Sequence, residues 1–227
     1  MSLFEVSKMT SIPSTLKVYL TAELNYACTN ESLPSIIEGM EPRETDRILA
    51  ICGSGDQAFA LLESGAHVVA IDNDVHQVEF AQKRREKLKS SDYAGFLHAP
   101  PARNSCDPIA RDIYFREGER MRNIRARLGN LDIRSQDIRT LNEMVDKAYL
   151  SNVFDWINDQ STVELVQLLA AHVSQGGLVY LADKAPIKER KTEWQEFEVD
   201  ARLTERAASL TYYGDTSWVP RVMRRCH

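Results

Sequence analysis

From Arg47 onward, short unbroken apolar runs alternate with stretches in which apolar residues recur every three or four positions. Ile48-Leu49-Ala50-Ile51-Cys52 has no polar position, as expected of a parallel strand covered on both faces. Gly53-Ser54-Gly55-Asp56 then reads as a turn, and residues 57–63 as a helix that Gly65 can end. Val68-Val69-Ala70-Ile71 is the next strand, closed by Asp72. Residues 75–88 follow as a helix capped by Asn73 or Asp74. Met121, Ile124 and Leu128 share one side of a helix over 117–128, and Ile133 opens a short strand leading to Asp137. Ala148-Tyr149-Leu150 is a strand that ends at Ser151-Asn152. An amphipathic helix over 163–173, a tight turn at Gly176-Gly177 and a strand over 178–182 complete the pattern.

The flanks read differently. Residues 1–46 predict a mostly helical cap: one helix after Pro13, with Leu16, Tyr19, Leu20 and Leu24 at helical spacing, and another from Pro34 that Pro42 limits. Residues 90–112, with Pro100, Pro101 and Pro108, read as a long loop or irregular insertion, and a loop of that length commonly carries function. From Pro186 the pattern predicts a charged helix and then an aromatic segment over 212–219, with Arg221, Arg224 and Arg225 as a tail. The strand–helix alternation predicts the α/β class. A Rossmann-like domain over 47–227, with a mainly parallel sheet and helices on both faces, would follow the helical cap over 1–46.

Composition narrows the partners. A chain of 227 residues that is 43% hydrophobic suits one α/β unit with a substantial core. Its net charge of −5 supplies no global field for nucleic acid, so no nucleic-acid partner is expected. No apolar run approaches the roughly 18 residues of a membrane span, which leaves only peripheral membrane contact. Glu5 and Lys8 interrupt any signal-like stretch, so a cytoplasmic location is expected. Cys28, Cys52, Cys106 and Cys226 are scattered without a C-x-x-C and read as reduced thiols. His67, His98, His172 and His227 show no metal spacing, and no catalytic metal is predicted. Arg111, Arg116, Arg120, Arg122, Arg125 and Arg127 read as a solvated helical face, or as a source of one or two side chains for a carboxylate or an anionic acceptor.

The chemistry centres on Gly53-x-Gly55 after the first strand and Asp72 at the end of the second, 19 residues beyond Gly53. Glycines there let backbone approach a ligand, and the acid can accept hydrogen bonds from ribose hydroxyls. The plainer alternative is a tight turn and a helix cap. Gly53-Ser54-Gly55-Asp56-Gln57-Ala58 also matches the dinucleotide pattern, so NAD is a competing ligand. Asp56 would place negative charge where a pyrophosphate meets the helix, and little chain remains for a separate substrate domain. S-adenosylmethionine (SAM) brings no phosphate and is the favoured co-substrate. The candidate SAM-binding residues are Cys52, Gly53, Ser54, Gly55, Asp72, Asn73, Gln77, Asp137, Ser151 and Asn152. Asp137 is placed to bond the adenine amino group, or is simply a turn acid. Ser151-Asn152, followed by Phe154 and Trp156, suits a pocket rim.

The segments Leu49-Ala50-Ile51-Cys52-Gly53-Ser54-Gly55-Asp56, Val69-Ala70-Ile71-Asp72 with Gln77, and Leu150-Ser151-Asn152-Val153 resemble the betaine-lipid synthase family. Asn25-Tyr26-Ala27-Cys28-Thr29-Asn30-Glu31 is similar to a segment that precedes the nucleotide unit there, so the resemblance covers roughly residues 19–183. The proline expected soon after Asp72 is absent. The resemblance implies transfer of the 3-amino-3-carboxypropyl group of SAM to an acceptor hydroxyl or amine, on a small molecule or a lipid. A nucleophile about 3–3.5 Å from the γ-carbon would release methylthioadenosine, whereas one against the methyl group makes the protein a methyltransferase. Asp155, Tyr26 and His76 are the candidate general bases. Tyr26 and Glu31 are placed to close over the methionine end of SAM, or to serve as a packed tyrosine and a capping acid. Beyond these transferases stand an NAD-dependent oxidoreductase and a nucleoside-binding module without catalysis.

Overall fold

The computed structural model describes residues 24–104, 106, 108–184, 194–211 and 218–226. Within them seven strands form one sheet: β1 (Arg47–Ile51), β2 (His67–Asp72), β3 (Leu131–Ser135), β4 (Val145–Ser151), β5 (Val173–Lys184), β6 (Phe197–Val199) and β7 (Trp218–Arg225). The order across the sheet is β3-β2-β1-β4-β5-β7-β6. β1 to β5 run parallel, while β7 is antiparallel to both β5 and β6. This is the expected Rossmann-like α/β architecture, and the strand order reverses between β1 and β4, where open α/β sheets leave a crevice.

The apolar run of β1 is unbroken because both of its faces are covered. Ile48 and Ala50 belong to a core shared with α1 (Leu33–Met40), α2 (Asp56–Leu62) and α3 (Val75–Lys89). Leu49 joins the opposite core, packed with Leu165 and Leu169 of α7 (Asp159–His172). Helix starts follow local chemistry. The Ser32 side chain caps α1 with Pro34 in the first turn, and the Asp74 carboxylate accepts from His76 N–H at the start of α3. No described helix is long and apolar enough to cross a membrane.

Several expectations are corrected. Residues 90–112 are not one loop: they hold α4 (Tyr93–Leu97) and the start of α5 (Pro108–Phe115). Phe96 anchors that region edge-on against Phe59 and Phe115, at 5.0 and 5.3 Å between centroids. Gly176-Gly177 is not a turn before a strand but an irregularity inside β5, where the pairing with β4 jumps from Val145↔Val173 to Lys147↔Leu178. Arg221, Arg224 and Arg225 are no tail. They lie on β7, where Arg224 pairs with Asp200 at 2.6 Å and donates to Gly176 O at 2.9 Å. The basic stretch is split between α5 and α6 (Gly118–Ala126), and Arg111 is buried rather than solvated, donating to Leu97 O at 2.6 Å. The charged helix is α8 (Ala201–Ala208), packed on α1 through a 2.8 Å bond from Ser35 Oγ to Ala207 O. The helix expected after Pro13, residues 186–193 and residues 212–217 lie outside the described residues.

Candidate functional site

A cavity of about 600 Å³ opens where Ile51, Asp72 and Ser151 end β1, β2 and β4. On one side is the glycine turn. Gly53 adopts φ +47°, and a Cβ there would meet nothing within 4 Å, so its backbone faces open space. Gly55 adopts φ +87° for a different reason: a Cβ would sit 3.1 Å from both Ala81 Cβ and Phe59 Cε2. The first glycine exposes backbone to the cavity; the second lets α2 pack on α3.

The Asp72 carboxylate accepts from Gly53 N–H at 2.9 Å and from Asp74 N–H at 3.0 Å, which locks it toward the turn. Burial raises its pKa, opposed by those N–H donors. Gln77 uses its amide fully. Its Nε2 donates to Gly53 O (2.7 Å) and Tyr26 O (2.9 Å), and its Oε1 accepts from Asn25 and Tyr26 N–H (2.8 and 3.1 Å). Gln77 thus fastens an irregular strap, residues 24–31, across the strand ends. Asn25 Nδ2 adds a 2.7 Å bond to Asp74. Sequence reasoning assigned 24–31 to a helical cap; in the structure it is wall, contributing Asn25, Tyr26, Cys28, Thr29 and Asn30 to the cavity.

Below the strap runs a buried polar network. Asp56 is fully buried, ion-paired with Arg84 at 2.7 Å, and accepts from Thr29 N–H (2.8 Å) and Ser54 Oγ (2.9 Å). Arg84, itself 1% exposed, donates to Ser54 O and Phe96 O and lies 4.5 Å above the Phe96 ring. Gln57 Nε2 bonds Thr29 Oγ1 (2.8 Å) and Tyr149 OH (3.2 Å). Tyr149 and Ser151 both donate to Glu31 Oε1, and Ser151 takes a left-handed backbone (φ +54°). Nothing in the sequence marked Arg84: within the run Lys83-Arg84-Arg85-Glu86-Lys87 it reads as solvent-facing.

The expected residues therefore separate. Gly53, Ser54, Asp72, Asn73, Gln77, Asp137, Ser151 and Asn152 line the cavity. Asp137 does so while capping a short helical turn and gripping the Arg139 guanidinium, which lowers its pKa. Cys52 is fully buried behind the turn, and burial pushes its thiol far up. Tyr26 is half-buried and hydrogen-bonded to Asn152. Burial raises its phenol pKa, and the nearby Glu31 and Asp72 add to the shift. His76 and Asp155 are exposed and are not part of the lining. Trp156, 66% exposed, lies at the rim as its place after Ser151-Asn152 suggested, whereas Phe154 is buried; Asn104 and Ile138 are lining residues that the motifs did not flag.

Two further corrections follow from this geometry. Cys28 and Cys106 are joined as a disulfide, not held as thiols, with Cα atoms 5.8 Å apart. Asp56 places no free charge at the turn, because Arg84 neutralises it in the interior. The charge argument against a dinucleotide therefore falls.

No protein-family model and no curated protein matches the chain. Among solved structures it is similar to a TehB-like SAM-dependent methyltransferase from Corynebacterium glutamicum, with 12% identity and a TM-score of 0.48 over 86% of this chain and 87% of that one. It is also similar to the glycopeptide N-methyltransferase MtfA complexed with SAM (13%, 0.46, 68% and 55%). PKMT2 from Rickettsia typhi gives 14%, 0.44, 67% and 25%. The chain spans about half the length of MtfA and a quarter of PKMT2. Such identities assign no family.

Proposed function

We propose that this protein is a SAM-dependent transferase whose co-substrate lies along Gly53, Asp72 and Asp137. The observation that carries the reading is the Asp72 carboxylate, held at the cavity by Gly53 N–H at the end of β2. In that position it accepts from vicinal ribose hydroxyls, and Asp137, next to Gln136 whose N–H bonds Asp72 O, receives the adenine amino group. A dinucleotide is disfavoured on new grounds. Thr29 sits over the start of α2, bonded to Asp56 and Gln57, in the space a pyrophosphate would need. A ligand without phosphate has no such conflict.

The transferred group is the 3-amino-3-carboxypropyl moiety, in keeping with the resemblance of the strand-end motifs. The acceptor is a small molecule or lipid with a hydroxyl or amine nucleophile. Tyr26 is not the base in this scheme: its raised pKa keeps the phenol protonated at neutral pH, so it donates a hydrogen bond and positions the methionine end. His76 and Asp155 stand outside the cavity lining and do not serve either. The test is calorimetric titration with SAM and NAD, followed by product analysis over an acceptor panel. SAM binding with methylthioadenosine release is expected. Release of S-adenosylhomocysteine would instead establish methyl transfer, binding without either product a non-catalytic module, and binding of NAD alone would overturn the reading.

A further inference from the structure

The disulfide lies at the edge of the cavity, between two segments that are anchored in different ways. Cys28 belongs to the strap and lines the cavity. The strap is fastened to the body independently of the disulfide: Gln77 holds Asn25 and Tyr26, Asp74 holds Asn25, and Asp56 holds Thr29. Cys106 belongs to the segment between α4 and α5, which is pinned at its start. Arg84 donates to Phe96 O at 2.8 Å and Arg111 to Leu97 O at 2.6 Å. Beyond Leu97 the segment is tied to the strap. Leu24 and Ala102 form an isolated parallel bridge, Arg103 N–H donates to Leu24 O (2.8 Å), and Asn104 donates to Asn25 O through its backbone N–H (3.0 Å) and its Nδ2 (3.1 Å). Asn104 is itself a wall of the cavity.

We propose that the Cys28–Cys106 disulfide is a redox latch on the cavity mouth: oxidised, it holds the Asn104 wall against the strap, and reduced, it lets that wall swing away and speeds ligand exchange. Cleaving the bond removes the covalent tie and leaves the Asn104 wall held by the Leu24–Ala102 bridge and the Arg103 and Asn104 hydrogen bonds. These can open while the strap keeps its own anchors, so the glycine turn and Asp72 keep their places. The chemistry is thiol–disulfide exchange with a dithiol reductant. Its thiolate attacks the partly exposed Cys106 sulfur and expels the buried Cys28 as leaving thiolate. The second thiol of the reductant then closes its own disulfide and releases Cys106. Two electrons and two protons pass from reductant to protein. Cys52 and Cys226 are free cysteines and take no part.

That the ligand is SAM rests on the function proposed above; the movement of the segment does not, and the experiment separates the two. Full-length protein would be prepared oxidised, reduced with a dithiol, and as Cys28→Ser/Cys106→Ser. Release of labelled SAM into excess unlabelled SAM would be timed for each, and trypsin cleavage after Arg103 followed in parallel without ligand. The expected result is release at least about tenfold faster, and cleavage correspondingly faster, in the reduced and doubly substituted forms, with re-oxidation restoring slow release in the wild type alone. Loss of the crosslink lowers the melting temperature in any case, so melting is not the readout. Equal release and equal cleavage in all forms would reduce the disulfide to a structural staple and overturn the latch. So would four titratable thiols after oxidation. If no form binds SAM, the co-substrate reading fails, and the trypsin comparison alone decides the latch.

Discussion

The Asp72 carboxylate receives two backbone N–H donors and is still harder to ionise than an ordinary aspartate, because burial outweighs them. Ribose binding uses the ionised form. SAM affinity should therefore fall with acidification through a pH range above that of a free aspartate, as the carboxyl protonates, and calorimetry across that range checks it. Stability has the opposite sign: a carboxyl whose folded pKa is raised favours the folded state more in acid than at neutral pH. Asp72→Asn should bind SAM about 10- to 100-fold more weakly, the equivalent of about 1.5–3 kcal/mol for a charge-assisted hydrogen bond, and should flatten the pH profile. The two turn glycines make a sharper contrast. Gly53→Ala meets open space and costs only its left-handed backbone, about 1–2 kcal/mol. Gly55→Ala adds a Cβ 3.1 Å from Ala81 and Phe59 and should cost about 2–4 kcal/mol in denaturant unfolding. Both glycines were legible in the sequence; which one faces ligand and which faces a helix was not, because that depends on what packs behind the turn.

Between elements, the Arg84–Asp56 pair joins α3 to α2, and through Phe96 O to α4, while Thr29 brings the strap to the same carboxylate. Both side chains are desolvated, so removing one partner strands the other. Arg84→Met should destabilise the protein by about 3–5 kcal/mol, and Asp56→Asn in the same background should recover part of it, since the amide leaves no uncompensated charge in the interior. A double-mutant cycle in urea measures both. The sequence placed α2 and α3 within a residue, from apolar spacing and from the glycines and caps at their ends, and read α4 as loop. It misread segments whose conformation is set by partners far along the chain. Residues 24–31 are irregular rather than helical: Gln77 supplies Asn25 and Tyr26, and Asp56 supplies Thr29, with hydrogen bonds that a helix would have made internally. Gly176-Gly177 is absorbed into β5 because β4 lies alongside: a Cβ on Gly177 would stand 2.4 Å from Asp146 O.

For the whole molecule, the proposed ligand bridges the two halves of the sheet, since the cavity walls come from β1 and β2 on one side and β4 on the other. Binding to the folded chain alone should therefore stabilise it globally. At a hundredfold excess over Kd the gain is about 2.7 kcal/mol, or a rise of roughly 5–10 °C in melting temperature for a chain of this size. Scanning calorimetry with SAM should show that rise and NAD should not. The alternation of apolar runs with helical periodicity was enough to determine the α/β class, the parallel centre of the sheet and the strand-end positions of Gly53, Asp72 and Ser151. Those features are written in local periodicity and in residues that only turns favour. The antiparallel β6–β7 edge, the strap over the cavity, the burial of Asp56 against Arg84 and the pairing of Cys28 with Cys106 were decided only by tertiary structure. Each joins residues distant in the chain, and no local pattern records which distant group will supply the missing hydrogen bond, countercharge or sulfur.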